Sequence, residues 1–174
     1  QDTFLSSFGS ALTPLHELRL IEMLWMDEHA SAQQMGELVG ADLTALLRAR
    51  IALRKGQEGV TALIKAVPNA LGNHPVLNHA RFEWRLKNGF RDSAIDLLSV
   101  SSERSSRLGQ SERWADARIR IVRDLLFDGK NKQAYTLAAN HHIADGSSYA
   151  KLEWLAGFAA LRRLNDPNRA VQHF

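Results

Sequence analysis

The sequence predicts an all-α chain, arranged as an α-solenoid of antiparallel helix pairs, and three observations carry that reading. Leu and Ala supply 48 of the 174 residues while Val and Ile supply 14. That bias favours helix and disfavours a large sheet. Apolar residues recur at helical spacing along most of the chain. A further pattern repeats: an apolar residue at i, a turn residue at i+3 and a small residue at i+8. It occurs at Leu24, Asp27, Ala32; at Leu53, Gly56, Thr61; at Leu86, Gly89, Ala94; and at Leu126, Gly129, Ala134.

The elements follow in order. Leu18, Ile21, Leu24 and Trp25 share one helical face, and Leu43, Leu46, Leu47 and Ile51 share the next. Trp114, Ala117, Ile121, Val122, Leu125 and Leu126 form the longest stripe. Breakers separate these stretches: Gly40 to Asp42, Lys55-Gly56, Pro68 to Pro75, Asn88-Gly89, Asp128-Gly129, Asp145-Gly146 and Asp166-Pro167. About nine or ten short helices result, with single glycines at helix ends. The triplet recurs at steps of 29, 33 and 40 residues, so the repeats are tetratricopeptide-like but keep no strict register. Glu153 to Leu164 reads as a helix, and Asn168 to Phe174 as a second one started after Pro167. There Val171 and Phe174 would form a bare apolar face. A solenoid unit buries its face on a neighbour, so residues 1–174 are expected to be a single helical domain taken from a longer superhelix, uncapped at its C-terminal end.

Composition excludes several classes. Cysteine is absent, which removes thiol catalysis, disulfides and Cys-based zinc sites. The net charge of +3 is spread thinly; between Arg81 and Lys130 eleven basic residues alternate with eight acidic ones. That interleaving argues against a nucleic-acid partner. No apolar run approaches the ~20 residues of a membrane span, and no signal peptide is visible at Gln1.

Candidate chemistry is thin. His141 and His142 are adjacent and diverge on a helix, and the five-residue spacing of His74 and His79 suits no helical two-His site, so no metal is expected. Carboxylates have charged neighbours at helical spacing, as Glu83 with Lys87 and Asp116 with Arg120. Glu153 stands out among apolar residues, but its expected place is the first turn of a long helix, where the dipole favours a carboxylate. No phosphate loop, nucleotide fingerprint or nucleophile elbow is present, and no cofactor is implied. Trp25, Trp84, Trp114 and Trp154 are expected to pack between helices rather than stack on sugar rings. Gly157 lies inside a helix at a cost of ~1 kcal/mol relative to Ala, which implies close packing; Trp154, Gly157 and Leu161 should share a face set against a neighbouring helix pair.

The order of segments resembles the superhelical N-terminal region of the soluble lytic transglycosylases, bacterial enzymes that cleave peptidoglycan. The matching stretches are FGSALTPLHELRLIEMLW (8–25), RARIALRKG (48–56), KAVPNALGNHPVLNHARFEWRLKNG (65–89), ERWADARIRIVRDLLFDGKNKQAYTLAANH (112–141) and KLEWLAGFAALRRLNDPNRAVQHF (151–174). The last is the most specific, and Phe158 departs from it where Trp is expected. The resemblance implies a periplasmic location and a ring or horseshoe of helix pairs. It also implies, as partner, a lysozyme-like catalytic domain later in the same parent chain. That domain uses one Glu to cleave between N-acetylmuramic acid and N-acetylglucosamine, forming a 1,6-anhydro product. Its Glu-Ser and Gly-Leu-Met-Gln signatures are absent from these 174 residues, so no catalytic residue can be assigned. The expected function is that of a non-catalytic scaffold segment, with peptidoglycan glycan strands as a further partner. The alternative is a free-standing helical-repeat adaptor, which would bind a protein partner by itself and carry capped ends.

Overall fold

A computed structural model describes the backbone from Asp2 to Phe174 and the side chains from Pro14 onward. Within the quoted stretch 8–25, the side chains before Pro14 therefore lie outside the described residues. Among the described residues every regular element is helical and no strand occurs. The chain divides into two compact units, residues 1–88 and 89–174.

The first unit holds α1 (Asp2–Trp25), α2 (His29–Met35), α3 (Ala41–Lys55), α4 (Val60–Lys65), a 3-10 turn (Asn69–Leu71) and α5 (Pro75–Lys87). Helix α3 is its centre because it is apolar on two sides. Leu47 and Ile51 pack with Leu20, Leu24, Trp25, Ala32, Met35 and Val76. Leu46, Ala49, Ala52 and Leu53 pack with Val60, Val67, Leu77 and Ala80. Leu18, expected on the buried face of α1, is 66% exposed. The buried face runs instead through Leu20 and Leu24, which are one turn apart, and Leu18 points away from both.

The second unit holds α6 (Arg91–Ser101), α7 (Ser105–Leu108), a 3-10 turn (Ser111–Trp114), α8 (Ala115–Phe127), α9 (Asn131–Ala139), α10 (Gly146–Phe158), a π-helical turn (Ala159–Arg163) and α11 (Pro167–Val171). Helix α9 packs on both α8 and α10. Of the expected stripe, Trp114, Ile121, Val122, Leu125 and Leu126 are buried and Ala117 is half-buried, and the Trp114 indole N–H donates to the Leu108 carbonyl at 3.0 Å.

The repeated triplet has a definite backbone meaning. All four turn positions are left-handed: Asp27 at φ 59°, Gly56 at 64°, Gly89 at 80° and Gly129 at 74°. Such a residue ends a helix by turning the chain sharply, which glycine does at little cost and aspartate tolerates. The small residues Ala32, Ala94 and Ala134 are fully buried beyond the turn. Thr61 is not; it is exposed. A second left-handed glycine, Gly59 at φ 73°, starts α4 and moves the buried position to Val60.

Each unit also buries one arginine that periodicity alone did not single out. Arg50, 1% exposed, donates from Nη2 to the Leu24 carbonyl and to Asp27 Oδ1, both at 3.0 Å. Arg54 donates to Asp27 from Nε and Nη2 and also pairs with Glu83. Burial opposes the Asp27 charge, but the hydrogen bonds and charges of Arg54 and Arg50 outweigh it and hold the carboxyl below its usual range. Arg118, 0% exposed, donates from Nη1 to the carbonyls of Leu137 at 2.8 Å and Asn140 at 3.0 Å. Its Nη2 donates to Ser102 Oγ at 2.8 Å. Burial pulls its pKa down to about 10, so it remains a cation at neutral pH. The signal in the sequence was the triplet Ala-Arg-Ile, present at 49–51 and at 117–119, which sets an arginine inside an apolar stripe.

Replacing Arg118 by Met keeps most of the volume and removes all three hydrogen bonds. The expected loss is about 3 kcal/mol, read by urea unfolding. Arg118→Lys should recover only part of it, because one ammonium on a flexible stem does not reproduce the planar fork.

Candidate functional site

The residues singled out by the C-terminal stretch converge on α10, though not as expected. Helix α10 begins at Gly146, seven residues before Glu153, because the Asp145-Gly146 breaker marks its start; Gly146 has φ 87°. Glu153 therefore lies in the third turn, not the first, and no acidic residue occupies the first turn. Its role is not to complement the helix dipole.

Glu153 is a two-sided clamp. His141 Nε2 lies 2.7 Å from Oε1, and His173 Nδ1 lies 2.7 Å from Oε2. The backbone N–H of Ile143 donates to His141 Nδ1 at 2.9 Å. That places the ring proton on Nε2, so His141 donates to the carboxylate. His173 donates from Nδ1, and its Nε2 lies 3.2 Å from the Tyr135 hydroxyl. One carboxylate thus joins the segment after α9, the middle of α10 and the segment after α11. Burial works against its charge, but the bonds from His141 and His173 dominate and hold the carboxyl below its usual range.

The rest of the terminal motif completes the same closure. Asp166 caps α11 by accepting from the Arg169 N–H at 3.0 Å, with Pro167 next in the chain. Gly157 is covered by the ring of Phe174: a Cβ there would lie 2.5 Å from Cζ. The close neighbour of Gly157 is thus a side chain, not a neighbouring helix pair. Phe174 itself is 70% exposed, and Val171 is exposed too.

Trp154 and Leu161 do not share in that packing. They are 56% and 42% exposed, which corrects the expectation of one buried face through Trp154, Gly157 and Leu161. The three residues span the junction with the π turn, where the Leu164 N–H donates to the Ala159 carbonyl five residues back. A five-residue hydrogen bond changes the angular phase for Leu161; Trp154 precedes the turn and lies on the side of α10 away from its buried residues Leu152, Leu155 and Ala156. Trp154 stacks instead on Phe158, with ring centroids 5.4 Å apart and planes 12° apart. Arg163 lies over the Phe158 ring, 5.8 Å from its centroid. Of the other tryptophans, Trp25 and Trp114 are buried as expected and Trp84 is half-buried.

The remaining candidates have structural roles. His74 caps α5, its Nδ1 accepting from the Val76 N–H at 3.3 Å, and burial lowers its pKa. His79 packs against Trp25 and stands 3.7 Å from Glu83. Glu83 pairs with Arg54 rather than with Lys87. His142 donates to the Ser102 carbonyl at 2.9 Å. Among the described residues no group of three His or acidic side chains is arranged to hold a metal ion, and no helix is long and apolar enough to cross a membrane. Comparisons with known protein families, with curated proteins and with solved structures find no match to this chain.

Two outcomes are expected. The Glu153 carboxyl titrates below its ordinary 4.5 in the folded chain. Its contribution is therefore complete above that pH and is lost as pH falls through the folded value. Thermal midpoints of wild type and Glu153→Gln should differ at pH 7 and converge as pH falls well below 4.5. Gly157→Ala gains helix propensity of ~1 kcal/mol but displaces the exposed Phe174 ring. The substitution should change stability little alone and stabilise a Phe174→Ala chain by about 0.5–1 kcal/mol, the difference being the coupling measured by the double-mutant cycle.

Proposed function

We propose that the chain is a non-catalytic scaffold segment of a periplasmic peptidoglycan lyase of the soluble lytic transglycosylase kind. Its helix pairs belong to an irregular α-solenoid that carries a lysozyme-like catalytic domain of the same parent. The observation that carries this reading is the use made of the most specific stretch, 151–174. Glu153 clamps His141 and His173, Asp166 caps α11, and Gly157 receives Phe174. These residues close the fold, while Trp154 of the same stretch faces outward.

The same geometry argues against hydrolysis by the segment itself. A general acid acting on a glycosidic bond needs a carboxyl whose pKa is raised and an oxygen free to reach the bond. Glu153 has the opposite setting, with both oxygens occupied and its pKa lowered.

The purified chain should leave the turbidity of a cell-wall suspension unchanged, and clearing would overturn the scaffold reading. The reading frame that carries these residues should continue into a domain with the Glu-Ser and Gly-Leu-Met-Gln signatures. A frame that ends without them would remove the lyase assignment.

A further inference from the structure

The outer side of α10 presents a built aromatic platform that the closure of the fold does not use. Trp154 and Phe158, one turn apart, stack nearly parallel. Arg163 reaches the Phe158 ring because the π turn brings residues five apart into line. In a continuous α-helix they would point about 140° apart. Three side chains thus form one pile, and 56% of Trp154 remains exposed.

Trp154 also walls a shallow recess of about 290 Å³, with Leu155 and Ala150 as its other apolar surfaces and Arg123 and Lys151 at its edge. Neither cation forms an ion pair among the described residues. The nearest acidic residue on α8, Asp124, is paired with Arg91, and Glu153, beside Trp154 in sequence, is engaged by its two histidines. A flat apolar ring face beside two uncommitted positive charges is complementary to a ligand with an apolar face and an anionic substituent at its edge.

We infer that Trp154, Arg123 and Lys151 form a subsite for a carboxylated pyranose, the ring stacking on the indole and the carboxylate meeting the two cations. This rests on the scaffold reading for the particular sugar, N-acetylmuramic acid, whose lactyl group supplies the carboxylate. The recess is at the lower limit of small-ligand sites, roughly 300 Å³, which suits one ring. An extended peptide is a poorer occupant: helical faces spend their backbone hydrogen bonds internally and offer none to a second chain.

The test follows the Trp154 indole N–H signal by NMR in the full 174-residue chain, titrated with N-acetylmuramic acid, N-acetylglucosamine, glucuronic acid and adenosine monophosphate. The expected dissociation constant for N-acetylmuramic acid is about millimolar. N-acetylglucosamine, the same ring without the carboxylate, should bind about threefold to fivefold more weakly. Trp154→Ala removes that probe and is followed instead by saturation transfer to the sugar's own proton signals; it should weaken binding about tenfold or more, and Arg123→Gln with Lys151→Gln should erase the preference for the acidic sugar. Unchanged thermal midpoints would show that these surface variants fold.

Glucuronic acid binding as tightly as N-acetylmuramic acid supports the acidic-sugar subsite while withdrawing its support from the peptidoglycan reading. No shift with any sugar overturns the subsite and leaves the scaffold reading to the parent reading frame. A response to adenosine monophosphate alone overturns it in favour of a nucleotide.

Discussion

The second unit depends on one buried cation. Its helices are short, so a large share of their backbone lies in end turns, where the last carbonyls have no intrahelical partner. Arg118 reaches the end of α9 and, through Ser102, the end of α6. Ser102 in turn donates to the Leu98 carbonyl at 2.6 Å, and His142 donates to the Ser102 carbonyl. A guanidinium suits this place because it presents several donors in one plane and because a positive charge favours the negative ends of helix dipoles. Its burial without a carboxylate partner is costly, and the lowered pKa is the mark of that cost. Three well-formed charge-assisted hydrogen bonds offset it. Arg50 repeats the device in the first unit at the end of α1, with Asp27 added as a counter-charge.

That arrangement explains what was legible in the sequence and what was not. The left-handed turns at Asp27, Gly56, Gly89 and Gly129 are local, set by a few residues on either side, and the recurring triplet marked all four. The all-helical class followed from composition and spacing for the same reason. Arg118 was hidden because its partners are 16 to 22 residues away, and no window of helical periodicity spans that distance. Leu18 and Thr61 misled in a different way. Each fitted a periodic template, and each was overruled by a detail of one or two residues, the choice of Leu20 as the core position and the extra turn at Gly59.

Glu153 shows why a residue's type and flanks do not decide its role. Among apolar neighbours it invited either a catalytic reading or a dipole reading, and both depended on where its helix began. The start at Gly146 removes the second, and two histidines occupy both carboxylate oxygens. Those histidines are 12 and 20 residues away in opposite directions along the chain, so the clamp exists only once α9, α10 and α11 are assembled. The closure is tertiary in origin, and the stretch that looked most distinctive in sequence is distinctive for that reason.

The same helix separates its two roles by angle. Successive residues of an α-helix point about 100° apart, so Glu153 can face the histidines while Trp154 faces out. A tryptophan placed there for packing would be expected to turn inward, since burying an indole is strongly favourable. Trp154 instead faces outward, stacked on Phe158, whose ring also meets Arg163. The π turn brings Arg163 to that ring, and it also ends the helix: the Leu164 N–H donates to the Ala159 carbonyl and the Asp166 N–H to the Ala160 carbonyl. On the outside it sets a cation against an aromatic pair. One turn thus serves both the close of the helix and the arrangement of its outer face.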